Sequence, residues 1–498
     1  MSRRLPFFFL VFLALQVGLL LIFVFFRHID ADEGIYLMSA HQVAEGKSPY
    51  FDFFYAQMPY LPYLYAPFSH FGFLSLFWGR ALSALLCLLT SWLLYYLMVS
   101  LTRNRKLALV VFFLYAFNSL TLNWHSVIKT YAFSDLFGLL SFTFLAQTLL
   151  NRNGRAGYTF LAGMFVGLAF NCRLTFLPIF CLELMLISLF YRNRLANLTS
   201  VIAGALFSSI GSIYLLLKGP DTFLFNNWGW HQIWGNKLVR MDFLGKLHVL
   251  SKFIFYPQNL FILILALMAC IYILKKPEHD NTAGALSKIQ LMALGFSVLF
   301  LLFAFLPNPS QSQYYQHAIP YLLIFSASSL DRLLTWLDKR RFLAFLGSAF
   351  YFLGLAPFVF VFVFTIRPKD RIFKINRVKK VVQIIQENSR KDDYIFSWWN
   401  GYVFLSGRRL LPGNYTWDHQ MTPLITEQQI EKFNIPDWKD VNQTISMCKP
   451  TLIIDTNEYL SKMFTGLREY YRISQVLQDF NEIKIYVRGE GCKNEPSH

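Results

Sequence analysis

Three carboxylates, Asp30, Asp32 and Glu33, fall within four positions directly behind the first long apolar run, residues 5–26. A charged side chain is costly at the centre of a bilayer but tolerated at a helix end, where it reaches water or a partner. Further ionisable residues mark the edges of later apolar runs: Arg80, His125, Lys129, Arg173 and His317, with Asp135 just inside one. Gathered in one place, such a set does a definite kind of chemistry. A carboxylate takes the proton of an attacking hydroxyl as general base. Cations stabilise a departing phosphate, where negative charge builds up in the transition state. Each residue also has a plainer reading. The first three acids suit a solvated loop, and Arg80 and Lys129 suit snorkelling to headgroups. Arg173 suits a structural pair with Asp135, and the histidines suit ordinary hydrogen bonding.

What must position these residues is a membrane bundle. The 498 residues are 55% hydrophobic and 15% charged, against roughly 25% charged in soluble proteins. Repeated apolar runs of about 20 residues read as spans. The net charge of +17 is not a nucleic-acid footprint, because Lys and Arg cluster in the short gaps between runs, as cytoplasmic loops require. With Arg3 and Arg4 inside, the basic gaps at Arg103 to Lys106, Arg152 and Arg155, Arg192 and Arg194, Lys275 and Lys276, and Lys339 to Arg341 all fall inside too. About 11 helices result, and the first loop, residues 27–77, lies outside with every residue named above. The N-terminal run is too long for a signal-peptide core and lacks a small-residue cleavage site, so it reads as a retained helix. Residues 218–258 read as an external loop without a span of its own. Its Trp228, Trp230 and Trp234 suit interfacial anchoring or stacking on a sugar.

From residue 367 the apolar saturation ends, and about 130 residues remain, enough for a soluble α/β domain with its own core. Residues 378–388 read as an amphipathic helix; residues 393–398, 451–455 and 482–487 read as strands. Cys448 and Cys492 both lie there, and the sequence leaves open a disulfide or two free thiols. No Cys/His spacing for a metal is present.

Several short motifs occur in a telling order. Asp32-Glu33-Gly34-Ile35-Tyr36 follows one helix, and Gly46-Lys47-Ser48-Pro49-Tyr50-Phe51-Asp52-Phe53 comes next. Then come Thr130-Tyr131-Ala132-Phe133-Ser134-Asp135, Gly167 to Thr175 around Arg173, and Gln313-Tyr314-Tyr315-Gln316-His317-Ala318-Ile319-Pro320. The series resembles the bacterial glycosyltransferase family 39 group, which takes in protein O-mannosyltransferase-like enzymes and aminoarabinose transferases. The resemblance runs over about the first 370 residues.

The resemblance implies a polytopic all-α GT-C catalytic domain over residues 1–366 and a C-terminal extracytoplasmic α/β domain over residues 367–498. It implies a multi-pass protein of the inner (plasma) membrane with a cytoplasmic N-terminus. The activity implied is inverting transfer of a sugar from a polyprenyl-phosphate donor to a hydroxyl of a lipid, glycan or protein. Nucleic acid is not an expected partner. Asp32 becomes the acid/base position, Glu33 and Asp135 support it, and Arg173 reaches the donor phosphate. Aminoarabinose transferases carry Lys-Pro-Pro in the first loop, where this chain has Gln57-Met58-Pro59. Lys129, Arg80 or Arg173 must then replace the missing lysine, with His317 completing the phosphate-binding set. Some GT-C proteins use a divalent metal, and the acidic cluster leaves that open. The rivals are a transporter or flippase of lipid-linked substrates and a non-catalytic membrane scaffold. A transporter would show mid-membrane charges, broken helices and repeats, whereas here no repeat is visible and the polar set lies toward one face.

Overall fold

Leu, Phe and Val follow Arg4 almost without interruption, and the chain is helical over Arg4–Phe26. The computed structural model describes residues 4–151, 156–275, 281–364, 372–411, 424–433, 435, 437–456, 458–464, 466–477 and 483–494. Arg3, Arg152, Arg155, Lys276 and the domain boundary at 366 lie outside them. Among the described residues, five helices are long and apolar enough to cross a membrane: Phe7–Phe26, Leu74–Thr102, Tyr131–Leu150, Gly284–Phe305 and Phe342–Phe364. Two bent pairs raise this to seven: Arg194–Ser208 with Ile210–Lys218, at 64°, and Phe243–Ile254 with Pro257–Tyr272, at 85°. Ala156–Cys172 and Leu174–Phe190 are shorter apolar helices. The expected count of about 11 therefore resolves into unequal elements, several of them too short to span alone. The chain is a membrane protein.

The bend at Ser209 has a local cause. Ser208 and Ser209 precede Gly211, and Ser/Gly clusters are common kink sites. The carbonyl of Ser208 accepts from Tyr60 OH at 2.7 Å, and Asn171 Nδ2 donates to Ser209 Oγ at 2.8 Å. Before the bend, Arg194–Ser208 touches Ala156–Cys172 backbone to backbone. A Cβ on Gly163 would lie 1.9 Å from Val201 O, and one on Gly204 would lie 2.0 Å from Phe160 O. Small residues permit this close approach in membranes. Residues 218–258, expected as an irregular loop, are helical through most of their length and include two π-helical turns, Phe225–Gly229 and Trp234–Leu238.

The C-terminal domain is a five-stranded sheet, order β2-β1-β3-β5-β4. Its strands are β1 (Tyr394–Ser397), β2 (Arg409–Leu410), β3 (Leu452–Thr456), β4 (Tyr471–Leu477) and β5 (Ile483–Arg488). β2, β1 and β3 run parallel, and β5 is antiparallel to both its neighbours. The expected amphipathic helix is Ile375–Glu387, and Cys448 and Cys492 form a disulfide.

This domain grips the short helix Ala31–Ala44. Trp399 Nε1 donates to Ala31 O at 2.8 Å, and Ile29 N donates to Phe373 O at 2.9 Å. Gly34 is the contact point, since a Cβ there would meet Trp399 Nε1 at 2.7 Å and Gly401 Cα at 2.8 Å. A second contact stacks Phe433 on Phe225 of the π-helical segment, centroids 3.9 Å apart.

Candidate active site

The acidic cluster begins as a helix start. Asp30 caps Ala31–Ala44, its Oδ1 accepting from Asp32 N at 3.1 Å, while Glu33 Oε2 accepts from Asp30 N at 2.8 Å. This reciprocal box satisfies two amides that a helix otherwise leaves open. Glu33 then turns inward. Arg80 Nε and NH2 donate to its two carboxylate oxygens at 2.8 and 2.6 Å, and both side chains are fully buried. Arg80 NH1 also donates to Arg27 O, and NH2 to His28 O, capping the carbonyl end of the first helix.

Asp32 points elsewhere. Its side chain is 44% exposed, and it lines a cavity of about 1500 Å³. Lys129 Nζ lies 2.9 Å from Asp32 Oδ2 and 2.9 Å from Asp30 Oδ1. Burial pushes the Asp32 carboxyl up, the charges of Asp30 and Glu33 add to this, and Lys129 does not cancel it. Burial acts on Asp30 too, but Lys129 and Arg27 overcome it and hold that acid below the ordinary carboxylate range. Lys129 is itself buried, yet the two acids raise it well above the ordinary lysine value.

Arg173 lines the same cavity. Its guanidinium sits between the rings of Tyr131 and Tyr314, 4.6 and 5.1 Å from their centroids. NH1 donates to Thr130 Oγ1 at 2.9 Å, and Nε has no partner.

Asp135 is a correction to the sequence reading. It pairs not with Arg173 but with two histidines: His125 Nε2 at 2.7 Å and His317 Nδ1. All three are buried, and Asp135 and His317 lie behind the cavity wall rather than on it. Glu33 and Arg80 are likewise absent from the lining. The structure therefore brings Asp32, Lys129 and Arg173 together on the cavity. Glu33, Arg80, Asp135 and His317 form two buried clusters beneath it. Of the three cations offered in place of the missing loop lysine, Lys129 and Arg173 line the cavity with Gln57 and Met58, and Arg80 does not.

Three contributors escaped the sequence reading as site residues. Tyr131 and Tyr314 flank Arg173, and Asn227 lines the cavity from the π-helical segment. Both tyrosines sat inside motifs already singled out, whereas Asn227 carried no signal beyond a Trp- and Asn-rich stretch. Glu183 is a further buried acid, accepting from Ser141 Oγ at 2.5 Å away from the cavity lining.

A divalent ion does not fit the acids present. Among the described residues no three His, Cys, Asp or Glu side chains are grouped to hold one. The place between Asp30 and Asp32 is taken by the Lys129 ammonium.

No family model and no curated protein matches the chain. Solved structures do. ArnT from Cupriavidus metallidurans bound to undecaprenyl phosphate aligns over 98% of this chain and 99% of its own, at 14% identity, with a TM-score of 0.67. ArnT in the apo state gives the same score at 13% identity. The chain has the GT-C fold. An Archaeoglobus fulgidus oligosaccharyltransferase tethered to an acceptor peptide aligns over 98% of this chain and 75% of its own at 11% identity, with a TM-score of 0.49, too slight to argue from. The likeness upholds the GT-C part of the sequence resemblance and does not single out family 39.

Proposed function

We propose that the chain is a membrane glycosyltransferase moving a sugar from a polyprenyl-phosphate donor to a hydroxyl acceptor. One observation carries this reading: Asp32, alone of the acids in the cluster, lines one large cavity together with Lys129 and Arg173. The lining continues along Leu184, Ile202, Leu206, Ile213 and Leu216, an apolar track past the Ser209 bend that suits a prenyl tail. ArnT, whose fold the chain shares, was solved with undecaprenyl phosphate bound. Broken helices are also a transporter's mark, but here the Ser209 break serves as cavity wall.

In the reaction, the acceptor oxygen attacks the anomeric carbon and its proton passes to Asp32. The bond from that carbon to the phosphate oxygen breaks, and polyprenyl phosphate leaves with the electron pair, inverting the centre. Arg173 stabilises the charge gathering on the phosphate. Lys129 orients Asp32 and adds positive potential. Glu33–Arg80 and Asp135 with its two histidines hold the elements that carry these groups. Residues 1–366 form the catalytic bundle and residues 367–498 the extracytoplasmic domain that braces it, in the plasma membrane with the N-terminus cytoplasmic.

The test is transfer by the purified chain from defined polyprenyl-phosphate sugars, scored by release of polyprenyl phosphate and by acceptor product. Wild-type turnover that disappears in Asp32→Asn supports the reading. Failure of every donor, with the protein folded, or undiminished turnover in the variant, refutes it.

A further inference from the structure

The peptide unit that joins Ala31 to Asp32 is held at both ends. On its amide side, Asp32 N donates to Asp30 Oδ1 at 3.1 Å. On its carbonyl side, Ala31 O accepts from Trp399 Nε1 at 2.8 Å, a residue 368 positions along the chain. A peptide unit is planar and stiff, so the two bonds together fix its tilt. That tilt sets the direction in which Asp32 leaves the backbone. The carboxylate itself is 44% exposed, with the Lys129 ammonium 2.9 Å from Oδ2, so its aim depends on the backbone beneath it.

Trp399 is itself firmly placed. It is 1% exposed, and its ring meets Phe373 and Tyr402 edge-on, with centroids 5.1 and 4.8 Å away. Trp399 N donates to Ser397 Oγ at 3.2 Å, and Tyr402 OH donates to Ile372 O at 3.1 Å. Gly34 lets the indole come close, since a Cβ there would lie 2.8 Å from Trp399 Cε2. An apolar ring alone would fill this joint; the indole N–H adds a directed bond to the residue before Asp32.

The place of Trp399 in the sheet bears on its role. The order β2-β1-β3 puts a switch point between β1 and β3. At such points α/β sheets bind ligands outside the carboxyl ends of their strands. Trp399 lies two residues past the end of β1. Here the residues that follow β1 meet the helix Ala31–Ala44, and a Cβ on Gly34 would also lie 2.8 Å from Gly401 Cα. The sheet thus presents its ligand-binding end to the helix that carries Asp32.

We infer that Trp399 is a positioning residue for the transfer step, acting through the Ala31–Asp32 peptide to aim the carboxylate that takes the acceptor's proton. The inference rests on the transferase reading above and extends the working site to the C-terminal sheet. Misplacing a reacting group by about 1 Å costs up to about 10²-fold in rate. Trp399 does not line the cavity, so its loss slows turnover and leaves donor binding intact.

The test compares the full-length wild type, Trp399→Phe and Tyr471→Phe in nanodiscs, using defined polyprenyl-phosphate sugars. Trp399→Phe keeps an aromatic ring and loses the N–H. Tyr471→Phe loses a bond of similar kind, Tyr471 OH to Pro450 O at 2.8 Å, in a different hydrophobic cluster. In Trp399→Phe, kcat should fall by about 10- to 100-fold, with KM for the donor and undecaprenyl phosphate affinity within about twofold of wild type. In Tyr471→Phe, kcat should stay within about twofold. Should Trp399→Phe fail to fold, benzothienylalanine introduced at position 399 replaces the N–H with sulfur in a ring of similar shape and is read the same way. Unchanged kcat, a fall in kcat matched by lost undecaprenyl phosphate affinity, or an equal fall in Tyr471→Phe overturns the inference. A wild type that transfers from no donor sinks the transferase reading and this inference with it. A wild type that transfers no faster than Trp399→Phe sinks this inference alone.

Discussion

Asp32 and Glu33 are neighbours in sequence with opposite surroundings. Glu33 is fully buried, holds Arg80 through both oxygens and also accepts from Ile128 N at 3.1 Å. Asp32 opens onto the cavity with a single ammonium beside it. One step along a helix turns a side chain by about 100°, enough to send one acid into the joint between helices and the next into the site. The difference teaches that an acidic cluster at a membrane helix end is not one functional unit. Its members divide into a staple, a cap and the cavity-facing acid proposed as the base, and substitutions should separate them.

The largest effect expected is on stability. Arg80→Met leaves Glu33 buried without its cation, and removing one partner of a buried pair costs about 3–5 kcal/mol. Thermal unfolding in detergent should fall sharply, or the protein should fail to accumulate, while Asp32→Asn unfolds near the wild-type temperature. Equal loss in the two variants would erase the division. Gly34→Ala comes next: it overpacks the contact with Trp399 and Gly401, at a cost of about 1–3 kcal/mol. The same thermal assay checks it, and an unchanged midpoint would mean that the C-terminal sheet region does not bear on this helix. Arg173→Met should weaken undecaprenyl phosphate binding by about tenfold without moving the unfolding midpoint. Binding at the wild-type level would remove Arg173 from the phosphate site.

The smallest effect is a pH shift. Asp32 is pushed up first by burial and then by the charge of Asp30. Activity needs the Asp32 carboxylate and so declines as pH drops through its pKa. Asp30→Asn removes the like charge and leaves Lys129 to Asp32 alone; both changes lower that pKa. The acid limb of kcat/KM should therefore move to lower pH, and movement to higher pH would contradict the coupling.

Much of this is legible in the chain. Asp32, Lys129 and Arg173 stand out because charge at the edge of an apolar run is expensive and needs a reason. The sequence reading grouped Glu33 with Asp32; the spacing Asp30-x-x-Glu33 fits a helix start, but only packing shows that Glu33 turns onto Arg80, 47 residues away. What the chain does not reveal is partner choice across distance. The chain suggests Arg173 as the partner of Asp135, and only packing decides that His125 and His317, from separate segments, reach it instead. Residues 218–258 look like a loop because Gly, Asn and Trp are weak helix formers, yet packing of Phe225 on Phe433 and of Phe54 on Trp230 overrides that preference. In the sheet, β4 escapes notice because a bulge between Ile473 and Gln475 breaks its alternation.

The central claim is that Asp32 performs the proton transfer and does not hold the donor. The most direct measurement is a pair of numbers on one purified variant, Asp32→Asn: its affinity for undecaprenyl phosphate and its turnover with a polyprenyl-phosphate sugar that the wild type uses. Affinity should stay within about twofold of wild type while turnover falls by about 10²–10⁴. Retained turnover, or affinity and turnover lost together with the fold intact, would contradict the assignment.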